Sequence, residues 1–206
     1  MEQRTDEWFQ ARLGKVTASK IDDVVVKVKN GESQYKRKYR THLITEILTG
    51  KPVKIFMNEF MKHGIEYEDE ARNYYMDKKG YLKDVDVKEE GFVDHPTVSR
   101  SGASPDGLVR LNGLIEIKCP QAITHTEMLQ NGNIPKRYIH QMQWQLACTG
   151  RDWCDFVCYH PDFPDEYKIF IKRVDRDNDL IARLEKDVQD FVIEVEDSVK
   201  FIMENN

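Results

Sequence analysis

Through its first eighty residues the chain carries a helical pattern of apolar and polar positions, interrupted by glycine and proline. Thr17 or Ser19 can cap the second of the resulting segments, and Gly50 with Pro52 ends the third. The predicted helices cover residues 6–13, from 17 or 19 to 28, 33–48 and 58–79.

The pattern then changes to short apolar runs with Gly, Pro and Asn-Gly between them, which predicts strands within residues 81–119. Beyond these, the chain predicts a helix over 135–148, strands over 153–159 and 167–174, and a helix over 178–203. This order indicates an α/β fold, a single domain with a mixed central β-sheet flanked by helices. We expect one domain over residues 1–206, with a helical N-terminal part (1–80), a sheet core (81–175) and a C-terminal helix (176–206).

The last helix has two readings. Its apolar seam has alternating spacings of three and four, which suits a coiled coil. A Phe and a Ser within three heptads favour instead a helix packed on its own domain. The seam consists of Ile181, Leu184, Val188, Phe191, Val195, Ser198 and Ile202.

The composition is that of an ordinary soluble domain, 40% hydrophobic and 33% charged over 206 residues. No apolar stretch approaches the ~20 residues of a membrane span, and the first residues have no apolar signal core. We therefore expect a cytoplasmic protein with no membrane partner. The four cysteines fit no zinc spacing, and we expect them to be reduced.

The net charge of −5 is distributed unevenly. Residues 1–64 hold thirteen Lys/Arg against eight Asp/Glu, and residues 175–206 hold four against ten. A local basic surface is what phosphate binding needs, although a solvated helical face is an equal alternative. The basic cluster consists of Lys27, Lys29, Lys36, Arg37, Lys38 and Arg40, opposed by Glu32.

The most informative chemistry lies in residues 104–120, where Asp106 follows a proline and Glu116-x-Lys118 lies within an apolar run. Two carboxylates can hold a hard divalent cation, and a nearby lysine can position or activate a water. Because strand residues alternate, Glu116 and Lys118 share one face. A strand ion pair beside a turn is the simpler alternative.

Because side chains alternate along a strand, the number of residues in the hairpin loop decides whether Asp106 lies on the same face as Glu116 and Lys118. A two-residue turn at Asn112-Gly113 would place Asp106 on the wrong face. A three-residue loop over 111–113, with Gly113 left-handed in a bulge, would pair Asp106 with Lys118. We predict the longer loop, or an equivalent bulge near Gly107.

Helical phase adds a third carboxylate. On the predicted helix 58–79, Glu68 lies at the centre of an apolar stripe that runs from Met61 to Tyr75. A glutamate there needs a partner, which is a metal ion or a salt bridge to Arg72 or Lys118.

Three further residues are weaker candidates. Arg12 supplies a fork that fits phosphate, and Ser19 in the first turn of a helix can add its hydroxyl. Taken alone, an arginine like Arg12 is more often a surface residue, and a serine like Ser19 is more often only a helix cap. Gln141 lies in a glutamine-rich helical segment and is a candidate for the wall of the site, although packing also explains it.

Together these segments resemble the lambda exonuclease family of phage recombination nucleases, also called the YqaJ-like group. The resemblance follows the family's order to about residue 175 and implies a restriction-endonuclease-like, PD-(D/E)xK core. Its motifs are Trp8…Arg12-x-Gly14, Thr17-Ala18-Ser19, Gly64-x-x-Tyr67-Glu68, Ser104-Pro105-Asp106-Gly107, Glu116-Ile117-Lys118-Cys119-Pro120 and Gln141-x-Gln143.

The resemblance implies roles for these residues. Asp106 and Glu116 would ligate a catalytic Mg²⁺, with the Ile117 carbonyl completing the shell. Glu68 would help to hold a second ion, and Mn²⁺ is a possible substitute. Lys118 would orient and deprotonate the attacking water. Beside it, Gln141 would line the active site.

A second group of residues would recognise the DNA end. By the same resemblance, Arg12, Ser19 and Ser104 form a pocket for a 5′-terminal phosphate. Met61 matches a position where the family wedges the terminal base pair apart.

The implied reaction is Mg²⁺-dependent, processive 5′-to-3′ hydrolysis of linear double-stranded DNA, which releases mononucleotides and leaves a 3′ overhang. The implied partners are DNA ends, a homotrimeric ring and a single-strand annealing protein, in a bacterial host cell with a phage or prophage origin. Alternatives are a DNA endonuclease or resolvase on the same core and a catalytically inactive DNA-end-binding module.

Overall fold

The computed structural model describes residues 1–54, 57–83 and 85–205. A short 3₁₀ turn, Ala18–Lys20, precedes α2. The helices are α1 (Asp6–Arg12), α2 (Ile21–Val25), α3 (Gln34–Thr49), α4 (Glu59–Lys79), α5 (Ala122–Asn131), α6 (Lys136–Thr149) and α7 (Asn178–Asn205). Within these residues, no helix is both long and apolar enough to cross a membrane.

Eight strands form two sheets in the described part of the chain. The larger sheet has the order β2-β5-β6-β7-β8 and is mixed, because β6 and β7 are parallel while its other pairs are antiparallel. A smaller sheet, β1-β4-β3, was not predicted. The strands are β1 (Val16–Thr17), β2 (Val87–Lys88), β3 (Val93–Asp94), β4 (Ser101–Ala103), β5 (Gly107–Val109), β6 (Gly113–Lys118), β7 (Trp153–Tyr159) and β8 (Ile169–Asp175).

Most predicted elements are confirmed within one or two residues, and local capping explains the boundaries. Ser33 and Asn58 accept backbone N–H groups at the starts of α3 and α4, and left-handed Gly50 and Gly80 end these helices. The second predicted helix is shorter than expected and ends at Val25. Helix α5 was missed.

The central sheet separates two apolar layers. Alternate residues of β6, Ile115 and Ile117, pack with α4, and Leu114 packs with α5 and α6 on the other face. By the same alternation Glu116 and Lys118 point toward α6. The two charged side chains therefore lie at one end of the strand, beneath a helix.

The hairpin has the predicted loop length but a different position. Val109 pairs with Gly113, so the loop is 110–112 rather than 111–113. The left-handed residue is Arg110, not Gly113. Gly113 is required for another reason, because a Cβ there would lie 2.1 Å from the Trp153 ring. The parity is unchanged, so Asp106 still reaches the face of Glu116.

The apolar stripe of α4 is correct only in its second half. Ala71, Arg72 and Tyr75 are buried, whereas Met61 and Ile65 are 42% and 39% exposed. In these first turns it is His63, not Met61 or Ile65, that contacts the rest of the domain, with its Nδ1 3.1 Å from the Cys119 carbonyl oxygen.

Helix α7 packs on its own domain, as we favoured. Its seam from Leu184 to Val195 is buried in the same cluster as α2 and α3, and Ile181 is buried in the cluster of α5 and α6. Glu194 on its polar side pairs with Lys36 and Arg40, which neutralises part of the basic cluster. The four cysteines are free, as expected of reduced thiols, and all four are buried.

Candidate active site

Glu116 is a fully buried carboxylate whose partners are all side chains. Gln141 and Gln145 on α6 donate their amide groups to its two oxygens, at 2.7 and 2.6 Å. Lys118 forms an ion pair with the first of these oxygens. A buried carboxylate is tolerated only with such partners, so this end of β6 supplies Glu116 with a donor for each of its oxygens.

Asp106 lies at a bend immediately before β5, and its Oδ2 accepts the Ile117 backbone N–H at 2.6 Å. This bond brings the carboxylate onto the face of Glu116. Burial, followed by the charges of Glu116 and Glu68, raises the pKa of Asp106 well above its usual range, although Lys118 and the Ile117 amide oppose the shift. Burial is the main cause of the raised pKa of Asp106, and the two neighbouring carboxylates add to it.

Lys118 is the cation of this cluster. Burial alone would lower the pKa of Lys118, but the carboxylates of Glu116 and Asp106 raise it above its ordinary value. The ammonium also lies 5.1 Å from the centre of the Tyr138 ring. In this arrangement Lys118 is protonated, and a base role requires that the two carboxylates be neutralised by another cation.

Glu68 is paired with arginines, one of the alternatives raised by the sequence. Its Oε1 accepts from Arg72 at 3.0 Å, and its Oε2 pairs with Arg4. Arg72 also donates to the backbone carbonyl of Asp106 at 3.0 Å. Arg72 therefore holds Glu68 beside the other two carboxylates.

The donor set suits a hard divalent cation. Asp106 and Glu116 offer carboxylate oxygens, the ligands that Mg²⁺ prefers. The pKa of Asp106 is raised first by burial and then by the charges of Glu116 and Glu68, and a cation bound there would offset that negative charge. Among the described residues, no three or more His, Cys, Asp or Glu side chains are already arranged around a common point. Because Glu68 is engaged by arginines, it would have to exchange a partner to join them.

The predicted phosphate pocket is only partly assembled. Ser104 Oγ lies 3.4 Å from Arg12 Nη1 and accepts the Trp8 indole N–H at 2.9 Å. The Arg12 guanidinium stacks on the Trp8 ring at 3.9 Å, and burial lowers its pKa. Ser19 is exposed, and its hydroxyl lies 3.5 Å from Thr17 Oγ1 instead.

The pocket adjoins the carboxylates because Ser104 lies two residues before Asp106. Within the described residues, the polar side-chain partner of Arg12 is a hydroxyl and not a carboxylate. Because no carboxylate neutralises it, the half-buried Arg12 guanidinium keeps N–H groups that can donate to an anion.

Sequence reasoning missed two members of the site. Gln145 holds the second oxygen of Glu116, and its position four residues after Gln141 could have revealed it. Trp8 stacks on Arg12, four positions further along α1, which helical spacing could have indicated. Its bond to Ser104 joins residues ninety-six positions apart, and no local spacing indicates it. Met61 is exposed on the first turns of α4, and its predicted role as a wedge stays a prediction.

A mixed sheet flanked by helices, with an Asp just before one strand and a Glu-x-Lys at the end of the neighbouring strand, is the arrangement of a restriction-endonuclease-like fold. The YqaJ-like viral recombinase domain matches residues 7–152, and the chain belongs to this family.

The chain is also similar to solved structures. The alkaline exonuclease LHK-Exo from Laribacter hongkongensis is 44% identical over 97% of both chains, with a TM-score of 0.89. The structure of LHK-Exo in complex with dAMP gives 0.90 at the same identity. A phage-related exonuclease from Haemophilus somnus shares the fold at a TM-score of 0.67 and 15% identity, over 93% of this chain and 96% of that one.

A curated relative is much longer. An uncharacterised protein of Acanthamoeba polyphaga mimivirus is 31% identical over 186 residues, which cover 83% of this chain. The chain spans 31% of that protein's length.

Proposed function

We propose that this protein is a Mg²⁺-dependent exonuclease that degrades the 5′-ended strand of linear double-stranded DNA. The observation that carries the proposal is the convergence of Asp106, Glu116 and Lys118 at the end of β6. Family membership and the similarity to LHK-Exo, an alkaline exonuclease, support DNA exonuclease activity.

Each side chain has a role that its surroundings support. Asp106, Glu116 and the Ile117 carbonyl would hold the first Mg²⁺, and Glu68 would help to hold a second; Mn²⁺ is a possible substitute. When bound, these ions supply positive charge against the negative charge that develops on the phosphate. Lys118 orients the attacking water and accepts its proton.

The two glutamines keep the carboxylate in place. Gln141 and Gln145 fix both oxygens of Glu116, so that the carboxylate does not rotate when its lysine partner moves. This pre-organisation leaves little side-chain reorganisation for the moment of reaction.

Direction would come from the pocket beside the carboxylates. Arg12 and Ser104, with Ser19 approaching from the 3₁₀ turn, bind a 5′-terminal phosphate through charge-assisted hydrogen bonds. A phosphate fixed there places the first phosphodiester bond over Asp106. The enzyme therefore releases mononucleotides from the 5′ end and leaves a 3′ overhang.

The proposal also covers how the protein assembles, which protein it works with and the cell in which it acts. We infer that Met61 separates the terminal base pair, that three copies form a ring around DNA, and that an annealing protein receives the overhang. The setting is the cytoplasm of a bacterial host that carries a phage or prophage.

The deciding experiment is digestion of a linear duplex with one 5′ end phosphorylated and the other hydroxylated. With Mg²⁺, we expect mononucleotides to be released much faster from the phosphorylated end, and no release with EDTA. Covalently closed circular DNA should stay intact. Cutting of the circle would favour an endonuclease, and no hydrolysis of either would contradict nuclease activity.

A further inference from the structure

Residues 1–5 form a segment that is anchored beside the candidate active site. The Gln3 side chain donates to the backbone carbonyls of Glu90 and Pro105, at 2.8 and 2.9 Å. Met1 packs against Gly91, where a Cβ would lie 2.4 Å from the Met1 carbonyl oxygen. Since Pro105 immediately precedes a candidate metal-binding carboxylate, this segment places its next side chain, Arg4, into the site.

Arg4 and Arg72 occupy the two oxygens of Glu68, but they are held very differently. The Arg72 side chain is 8% exposed, and it also bonds Asp69 and the backbone carbonyl of Asp106. The Arg4 side chain is 43% exposed, and Glu68 is its guanidinium's partner among the described residues. Arg4 is therefore the exchangeable one of the two.

The backbone of Arg4 supports the same distinction. Its φ of 66° lies in the left-handed region, which a residue with a side chain rarely adopts. The anchoring contacts on both sides and the ion pair with Glu68 hold this conformation. Release of the guanidinium would allow the backbone to relax.

We propose that Arg4 is a built-in counter-ion of Glu68 that a divalent cation displaces, and that the released guanidinium then binds a phosphate group of DNA. The inference rests on the proposed function, because Glu68 there helps to hold a metal ion. A carboxylate that accepts a cation must give up a competing guanidinium. The planar fork of arginine fits a phosphate as well as it fits a carboxylate.

The first test is the affinity of the full chain for Ca²⁺, measured by titration calorimetry without DNA. Loss of a partly exposed ion pair that competes with the ion should tighten binding by roughly twofold to fivefold in Arg4→Gln. The matched control is Arg110→Gln, which removes another exposed arginine with a left-handed φ and an ion pair, to Asp86. This control lies at the other end of β5 and should bind Ca²⁺ as the wild type does.

A double-mutant cycle shows whether Glu68 carries the effect. In a Glu68→Gln background, Arg4→Gln should no longer change the affinity for Ca²⁺. Arg4→Lys, which keeps the charge without the fork, should fall between the wild type and Arg4→Gln. Thermal melting of each variant establishes that it is folded at the temperature of the titration.

The second test is the KM for linear duplex DNA in Mg²⁺. We expect Arg4→Gln to raise KM roughly threefold to tenfold, because one charged phosphate contact is lost, with kcat nearly unchanged. Unchanged or weaker Ca²⁺ binding in folded Arg4→Gln would overturn the inference. If the wild type binds Ca²⁺ and cleaves DNA, the proposed function survives that result; if it does neither, both proposals fail.

Discussion

Glu116 and Arg12 carry opposite charges in adjoining parts of the candidate active site, and their surroundings differ. Glu116 is fully buried, and two glutamines and Lys118 hold its oxygens. Arg12 is half-buried and stacked on Trp8, with a long contact to a serine hydroxyl.

This difference in burial and partners suits Glu116 to the chemical step and Arg12 to recognition of the DNA end. A charge with no access to water must have its partners built in, so the Glu116 end of β6 is complete before any ligand arrives. A charge at the edge of solvent can keep donors free at little cost. Changes near Glu116 should therefore alter the rate of hydrolysis, and changes near Arg12 should alter which DNA end is used.

The largest effect is expected from Asp106→Asn. The amide oxygen can still accept the Ile117 N–H, but the negative charge that would bind the proposed metal ion is lost. We expect kcat for DNA hydrolysis to fall by about 10²–10⁴-fold, measured with a labelled linear duplex in Mg²⁺. Glu66→Gln, an exposed change on α4, is the control and should leave kcat unaltered. Near-wild-type activity of Asp106→Asn would remove the carboxylate from the mechanism.

Arg12→Gln should act on the choice of end. Loss of a charge-assisted contact to phosphate is worth roughly 1.5–3 kcal/mol, or about 10- to 100-fold. We expect the preference for a 5′-phosphorylated over a 5′-hydroxyl end to drop by that factor, in a competition between the two duplexes. Arg183→Gln on the exposed side of α7 should retain the preference. If both variants discriminate equally well, the phosphate pocket lies elsewhere.

Gln145→Leu tests the built-in partners of Glu116. The variant leaves one oxygen of a buried carboxylate without its donor, which should cost about 1–3 kcal/mol in the free energy of unfolding. Urea denaturation measures the change, and Gln10→Leu on the exposed side of α1 is the control. Equal stability of wild type and Gln145→Leu would show that Glu116 does not depend on its contact with Gln145.

The smallest effect concerns pH. Because the pKa of Asp106 is raised in the folded state, the folded chain keeps a proton that the unfolded chain loses above its ordinary value of 3.8. Stability should therefore decrease as the pH rises from about that value into the raised range. Asp106→Asn removes this contribution, so its melting temperature without metal ions should exceed that of the wild type increasingly over this window. A pH-independent difference would contradict the shift.

Much of the fold could be predicted from local pattern. Caps at Ser33 and Asn58 and the terminating glycines set the long helices, because these effects act within a single turn. Helix α5 was missed because only His125 and Met128 of its residues are buried, which leaves too weak an apolar stripe. The small sheet was missed because β1 and β4 lie far apart in the sequence and each has two or three residues.

The candidate active site also has parts that could be predicted from local pattern and parts that could not. Strand parity correctly placed Asp106, Glu116 and Lys118 on one face, although the loop lies one residue earlier than predicted. Helical phase located Glu68, but it could not choose between a metal ion and an arginine. That choice depends on Arg4, which is sixty-four positions away in the chain.

By itself, the sequence determined the periodic elements, the parity of the hairpin and the resemblance carried by its motifs, because each depends on residues close together or on their order. Only the tertiary structure decided what surrounds each charge: two glutamines on Glu116, two arginines on Glu68, and a tryptophan beneath Arg12. The contacts of Glu116 with the two glutamines and of Glu68 with Arg4 join distant segments, which meet only when the layers have packed. Arg72 and Trp8 lie four positions from their partners on the same helix, and the fold decides only that these pairs become part of the site.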